Sequence, residues 1–137
     1  RAHPATTYGG FLDKNRPGQA ARLAAMYRKA HLLLLPTRGD CTPMVVAEAM
    51  AHGTPVLASD VGGVATLMAS GTGALLEISA GADQWAREVL RLTADPAVYR
   101  QTSHRAFAHA HTNLTWDSWA RSIEELSRDV SGRALAA

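Results

Sequence analysis

The chain has a single cysteine, no long hydrophobic run and no cluster of like charges. One cysteine, Cys41, excludes an internal disulfide and is typical of a reducing compartment, so we expect a cytoplasmic protein. The longest apolar stretch lies between His31 and Pro36, far short of the roughly 20 residues that a membrane-spanning helix needs. Composition therefore predicts neither a disulfide-rich protein nor a transmembrane segment.

Charge and histidine spacing exclude two further classes of ligand. A formal charge of +2, with Lys and Arg scattered along the chain, shows no nucleic-acid surface, so we expect no nucleic-acid partner. His104, His109 and His111 lack the i, i+4 spacing of a helical metal pair, and we expect no metal. The 137 residues, 47% of them apolar, are enough for one hydrophobic core and hence one domain.

Short apolar runs alternate with helical patterns over the first part of the chain. We predict buried strands at 7–12, 32–35, 56–58 and 74–78, with helices at 19–29, 43–52 and 64–69 between them. Such alternation favours a parallel α/β sheet with right-handed crossovers. The expected fold class is therefore a Rossmann-like, doubly wound parallel sheet.

After Gly81 the pattern is helical only, which predicts a helical C-terminal segment. We expect three helices whose apolar side chains face the core: Trp85, Val89 and Leu92; Tyr99, Ala106 and Phe107; Trp116, Trp119, Ile123 and Leu126. The domain is expected to extend over residues 1–131, and the Ala-rich tail at 132–137 is predicted to be disordered.

Two carboxylates lie around the start of the predicted helix at 43–52. Asp40 lies in the preceding loop and Glu48 lies eight residues later, inside the helix. Between them, Thr42 suits the N-cap and Pro43 the first helical position. After them, Gly53 suits the position that ends the helix.

This arrangement suits a ligand that carries both phosphates and hydroxyls. The amides of Met44 and Val45 are unpaired in the first turn, at the positive end of the helix dipole, where a phosphate binds well. Glu48 shares a helix face with these amides and would accept hydrogen bonds from a ribose, as Asp40 would from a sugar ring. The alternative is that Asp40 only turns the loop and Glu48 faces solvent.

The residues around this helix resemble the signature of retaining glycosyltransferases with the two-domain GT-B fold, specifically glycosyltransferase family 4. In that family a loop Glu, seven residues and a helical Glu precede Ala, a small residue, Gly, x, Pro, Val and a later Gly-Gly. The matching positions are Asp40, Glu48, Ala49, Ala51, Gly53, Pro55, Val56, Gly62 and Gly63. The resemblance covers nearly the whole chain and implies the C-terminal, donor-binding half of a GT-B fold.

The resemblance also implies roles for individual residues. Glu48 would bind the nucleotide ribose, Asp40 would face the donor sugar, and the amides of the first helical turn would approach the diphosphate. The candidate donor-binding residues are Asp40, Thr42, Pro43, Met44, Val45 and Glu48, and the two carboxylates are the candidate catalytic residues. The implied reaction transfers a sugar from a nucleotide diphosphate sugar to an unknown acceptor with retention, and needs neither a metal nor another cofactor.

Four loop residues are candidates for lining the cleft: Arg38, Cys41, Gly62 and Gly63. Arg38 is either a phosphate contact or an exposed structural residue. Cys41 has no neighbouring His to act as a base, which favours an unreactive thiol. The chain departs from the family pattern at Asp40, which is one methylene shorter than Glu, at Pro43, where Gly is common, and at Thr66, where an acid is common.

The family's basic pair for the diphosphate lies further before the motif than the 39 residues that precede Asp40 here. We therefore expect a piece of a longer protein, inactive alone, whose acceptor-binding N-terminal domain is absent and could mediate peripheral membrane association. Two alternatives remain, part of a nucleotide-sugar epimerase and a non-catalytic nucleotide-binding module. Convergence of Asp40 and Glu48 on an open cleft would argue against the latter.

Overall fold

A computed structural model describes residues 3–134, with side-chain environments over 3–130. Its helices are α1 (Pro17–Lys29), α2 (Met44–Ala51), α3 (Val64–Leu67), α4 (Ala82–Thr93), α5 (Pro96–Asn113) and α6 (Trp116–Ala134). Its strands are β1 (Leu33–Leu35), β2 (Val56–Ser59) and β3 (Gly73–Leu76).

The three strands form one parallel sheet in the order β1-β2-β3. Leu57 in the central strand is level with Leu34 on one side and Ala74 on the other. Every residue of β2 is buried, as expected for a parallel strand with helices on its faces. The predicted α/β fold with a parallel sheet and a helical C-terminal segment is confirmed. Within the described residues the strands follow one another across the sheet in chain order.

The strand predicted at 7–12 is wrong. This segment has no regular secondary structure, and its two aromatic residues, Tyr8 and Phe11, are 91% and 88% exposed. Gly10 has a φ of +74°, which is outside the extended range of a strand. A short apolar run forms a strand only when a neighbouring strand pairs with it, and the pattern alone does not show whether one is present.

The core lies between β2, α2 and α5. Val46, Ala49 and Met50 of α2 are fully buried and pack with Ala106 and Ala110 of α5. The two alanines let the helices approach closely, since they add little side chain between the two backbones. The helix pair therefore holds α2 in a fixed position over the sheet.

The prediction that the apolar face of α6 packs into the core is wrong. Trp116 is 81% exposed and Leu126 is 60% exposed, and Trp119 and Ile123 are exposed as well. On α5, Ala106 is buried but Phe107 is exposed. Periodicity identifies the apolar face of a helix, but not the partner that covers it.

The C-terminal tail was predicted to be disordered from residue 132. Helix α6 continues to Ala134, so residues 132–134 are helical in the structure. Residues 135–137 lie outside the described part of the chain.

Gly53 ends α2 with a φ of +75° and is anchored by Ser103, whose hydroxyl donates to its carbonyl oxygen at 2.6 Å. We expect Gly53→Ala to lower the free energy of unfolding by about 1–2 kcal/mol, because a Cβ disfavours this left-handed conformation. Urea denaturation measures the change. Gly18→Ala is the matched control, because an added Cβ meets nothing within 4 Å there; an equal loss in both variants would contradict the argument.

Candidate functional site

Two loops meet beyond the carboxyl ends of β1 and β2. One precedes α2 and contains Asp40 and Cys41; the other contains Gly62 and Gly63. A Cβ at Gly62 would collide with the carbonyl oxygen of Asp40, and one at Gly63 would collide with that of Cys41. The two glycines therefore allow the backbones to come into direct contact, at the edge where parallel α/β sheets bind ligands.

Helix α2 begins one residue later than predicted. Pro43 is the N-cap, with an extended ψ of 102°, and no side chain caps the helix, so the prediction of Thr42 as the cap is wrong. Thr42 is exposed, whereas Pro43 is buried. The extended conformation at Pro43 moves the start of the helix to Met44.

The first amides of α2 are available to a ligand. Val46 donates to the carbonyl oxygen of Pro43 at 3.0 Å, whereas the amides of Met44 and Val45 donate to no described residue. Unpaired N–H groups at a helix start attract anions, because they lie at the positive end of the dipole. The two unpaired N–H groups expected at the start of this helix are thus present, and phosphate binding by them stays a prediction.

Glu48 projects from α2 toward α1 and the loop that precedes it, and one side chain from each contacts its carboxylate. Lys14 forms an ion pair with Oε1, and the Tyr27 hydroxyl donates to Oε2 at 3.0 Å. The Glu48 side chain is 26% exposed, so the alternative of a freely solvated residue does not hold. Within residues 3–130 the Asp40 side chain has no hydrogen-bond partner, and the structure does not link the two acids.

An open cavity of about 220 Å³ lies beside the Glu48 carboxylate. It is lined by Lys14, Ala20, Leu23, Ala24, Tyr27, Glu48 and His52. The Met44 side chain instead lines a second cavity, of about 210 Å³, with Trp116 and Trp119. The side chains of Met44 and Glu48 therefore line different cavities, although the two residues are about one helical turn apart.

Sequence reasoning missed three residues of the Glu48 cavity. Lys14 lies outside the predicted strands and helices, and Tyr27 and His52 lie within the predicted helices at 19–29 and 43–52 with no role predicted for them. His52 is four residues after Glu48, and this i, i+4 spacing is a local signal that could have placed the two together. Lys14 and Tyr27 meet Glu48 through tertiary contacts that span 34 and 21 residues. No local motif joins positions at such separations, so only the fold reveals these two.

Tyr27 is held from three directions. Its hydroxyl donates to Glu48, its ring stacks on His52 with centroids 5.5 Å apart, and its carbonyl oxygen accepts from the Thr54 hydroxyl at 2.7 Å. His52 in turn donates from Nδ1 to the carbonyl oxygen of Glu48 at 2.9 Å. Burial, then the hydrogen bond with Glu48 and its negative charge, raise the pKa of Tyr27, which keeps the hydroxyl protonated as a donor.

The other predicted residues lie on the surface of the loops. Arg38 and Cys41 are exposed and Gly63 is partly buried. Nowhere in the described part of the chain do three or more His, Cys, Asp or Glu side chains come together in a way that could hold a metal ion. None of the helices within residues 3–134 combines the length and apolar character that crossing a membrane requires.

The parallel sheet, the free amides at the start of α2 and the partly covered Glu48 carboxylate define an α/β domain with a candidate ligand site on α2. The family described as "Glycosyl transferases group 1" matches residues 10–95. The chain belongs to this glycosyltransferase family. This finding agrees with the resemblance of the motif to glycosyltransferases.

Relatives and a solved structure agree with this assignment. The chain is 36% identical over 110 residues to the D-inositol 3-phosphate glycosyltransferase of Nocardiopsis dassonvillei, covering 80% of this chain and 25% of that protein. It is 34% identical over 129 residues to the enzyme of that name from Streptomyces bingchenggensis, covering 92% and 28%. Sucrose-phosphate synthase from Thermosynechococcus elongatus superposes with a TM-score of 0.66 at 31% identity, covering 82% of this chain and 28% of that one. The chain thus spans about a quarter of the length of these relatives.

The raised pKa of Tyr27 makes stability depend on pH in a defined direction. In the unfolded chain Tyr27 ionises near 10.0, whereas in the folded chain it keeps its proton to higher pH. The folded state then binds more protons, so the free energy of unfolding falls as pH rises above about 10. Between about pH 8 and about pH 11, urea denaturation should show a smaller fall in the free energy of unfolding for Tyr27→Phe than for the parent. In Tyr8→Phe, which removes an exposed hydroxyl, the fall should match the parent; equal slopes in all three proteins would contradict the prediction.

Proposed function

We propose that this chain is the donor-binding domain, the C-terminal half, of a retaining GT-B glycosyltransferase of family 4. It binds a nucleotide diphosphate sugar, and the whole enzyme transfers the sugar to an acceptor. Membership of the group 1 glycosyl transferases supports this proposal, as do relatives named as glycosyltransferases. The full reaction requires the parts of the protein that these relatives have in addition.

The observation that carries the proposal is the placement of the Glu48 carboxylate. An ionised group that is three-quarters covered, in a helix of otherwise apolar residues, costs free energy unless it has partners. A carboxylate accepts roughly four hydrogen bonds, and Lys14 and Tyr27 provide two. The remaining capacity lies beside an open cavity and suits the two vicinal hydroxyls of a ribose.

The other parts of the donor have matching groups on neighbouring elements. The free amides of Met44 and Val45 would bind the diphosphate, and Asp40 would accept from a hydroxyl of the donor sugar. These groups act by holding the donor and stabilising the departing diphosphate electrostatically. Neither a metal nor a side-chain nucleophile is needed for that role. Because Glu48 lines an open cavity, a ligand site fits it better than a purely structural one.

Calorimetric titration of the chain with UDP, GDP and ADP tests the donor site. We expect one of the three to bind, and Glu48→Ala to weaken it at least about tenfold, because hydrogen bonds to a charged group contribute about 1.5–3 kcal/mol. Glu88→Ala is a matched control, since Glu88 is also helical, also 26% exposed and also paired with a cation, Arg91. The donor-site assignment fails if none of the three binds or if Glu48→Ala leaves the affinity unchanged.

The isolated chain should not transfer sugar. We expect no turnover above background when it is incubated with nucleotide diphosphate sugars and with D-inositol 3-phosphate, the compound in the relatives' names. A domain that only holds the donor provides no groups for the acceptor. Chromatographic detection of a glycosylated product measures the turnover. Product formed by these 137 residues alone would contradict the proposal that the chain only holds the donor.

A further inference from the structure

The Glu48 carboxylate has one firm partner and one weak one. Lys14 is a long side chain that is 59% exposed, and ion pairs at such exposed positions contribute little to stability because water screens them. Tyr27 is half-buried, and its rigid ring is held in one orientation by Glu48 and His52. An incoming hydroxyl can therefore compete with Lys14 at Oε1 far more easily than with Tyr27 at Oε2.

The support of Tyr27 forms a closed ring of contacts. The Tyr27 hydroxyl donates to the carboxylate of Glu48, and the Tyr27 side chain stacks on His52. His52 in turn donates to the backbone carbonyl oxygen of Glu48. Thr54, which lies in the segment after α2, donates from its hydroxyl to the backbone carbonyl oxygen of Tyr27. Swinging the Tyr27 ring away from the Glu48 carboxylate thus requires breaking its stacking contact with His52 as well.

We propose that Tyr27 is a positioning residue of the donor site: it holds Oε2 of Glu48, so that Oε1 faces the vicinal hydroxyls of the donor ribose. His52 holds the Tyr27 ring in that orientation. When the ribose binds, its hydroxyls replace the Lys14 ammonium group at Oε1. This inference rests on the proposed function, since it concerns the same carboxylate. A glutamate side chain has three rotatable bonds, and restricting them in advance removes an ordering cost from ligand binding.

Titration of Tyr27→Phe with the tightest-binding nucleoside diphosphate and its 2′,3′-dideoxy form tests the proposal. We expect the ribose form to bind about 3- to 10-fold more weakly, the range for loss of one hydrogen bond. The dideoxy form, which has no hydroxyls for Glu48, should bind equally to both proteins. Tyr99→Phe is the control, because this partly buried tyrosine lies beside His31 and contacts no carboxylate among residues 3–130; it should change neither affinity.

A double-mutant cycle separates positioning from a general structural role. With Glu48→Ala already present, Tyr27→Phe should cause no further loss, because its effect passes through the carboxylate. Equal weakening of the ribose and dideoxy ligands, or full additivity with Glu48→Ala, would overturn the proposal. His52→Gln provides a second route to the same test and should weaken only the ribose form, by a smaller factor. Unchanged ribose affinity in Tyr27→Phe would also overturn the proposal.

The outcomes distinguish this inference from the function on which it rests. If the parent chain binds no nucleoside diphosphate, the donor site and the role of Tyr27 fail together. If the parent binds and depends on Glu48 but tolerates Tyr27→Phe, only the positioning role fails.

Discussion

Burial of α2 between the central strand and α5 is the constraint on which the rest of the structure depends. Val46, Ala49 and Met50 are completely covered, and each larger side chain of this kind contributes about 1.5–3 kcal/mol when buried. Because these residues occupy one side of a short helix, its rotation about its own axis is determined. Glu48 and His52 must then face α1, and the amides at the start of α2 must open at the carboxyl edge of the sheet.

This packing gives the candidate site its two halves. The half that we propose for phosphate consists of backbone amides, whose direction follows from where the helix begins. The half that we propose for hydroxyls is the Glu48 side chain, which needs further support, and Tyr27, His52 and Lys14 provide it from outside the helix. Asp40 belongs to a third element, the loop that rests on Gly62 and Gly63, and no described contact ties it to Glu48.

The contact between the two loops explains the Gly-Gly pair in structural terms. Both glycines lie where a Cβ would meet a carbonyl oxygen of the neighbouring loop, so their role is close backbone approach. That approach sets the position of Asp40 and Cys41 relative to the second strand end. The family signature thus combines residues that could contact a ligand with residues that only bring two backbones together.

Several features followed from the sequence alone because their causes are local. The alternation of apolar runs and helical periods predicted the parallel α/β sheet, and the glycine after the second helix predicted where that helix ends. The position of Glu48 inside that helix made it a candidate site residue, and its binding role stays a prediction. The tertiary structure alone decided which side chains meet that acid, that no strand pairs with residues 7–12, and that the apolar face of α6 is exposed. Those outcomes depend on contacts between residues far apart in the chain, and a local pattern shows which face of an element is apolar without showing what lies against it.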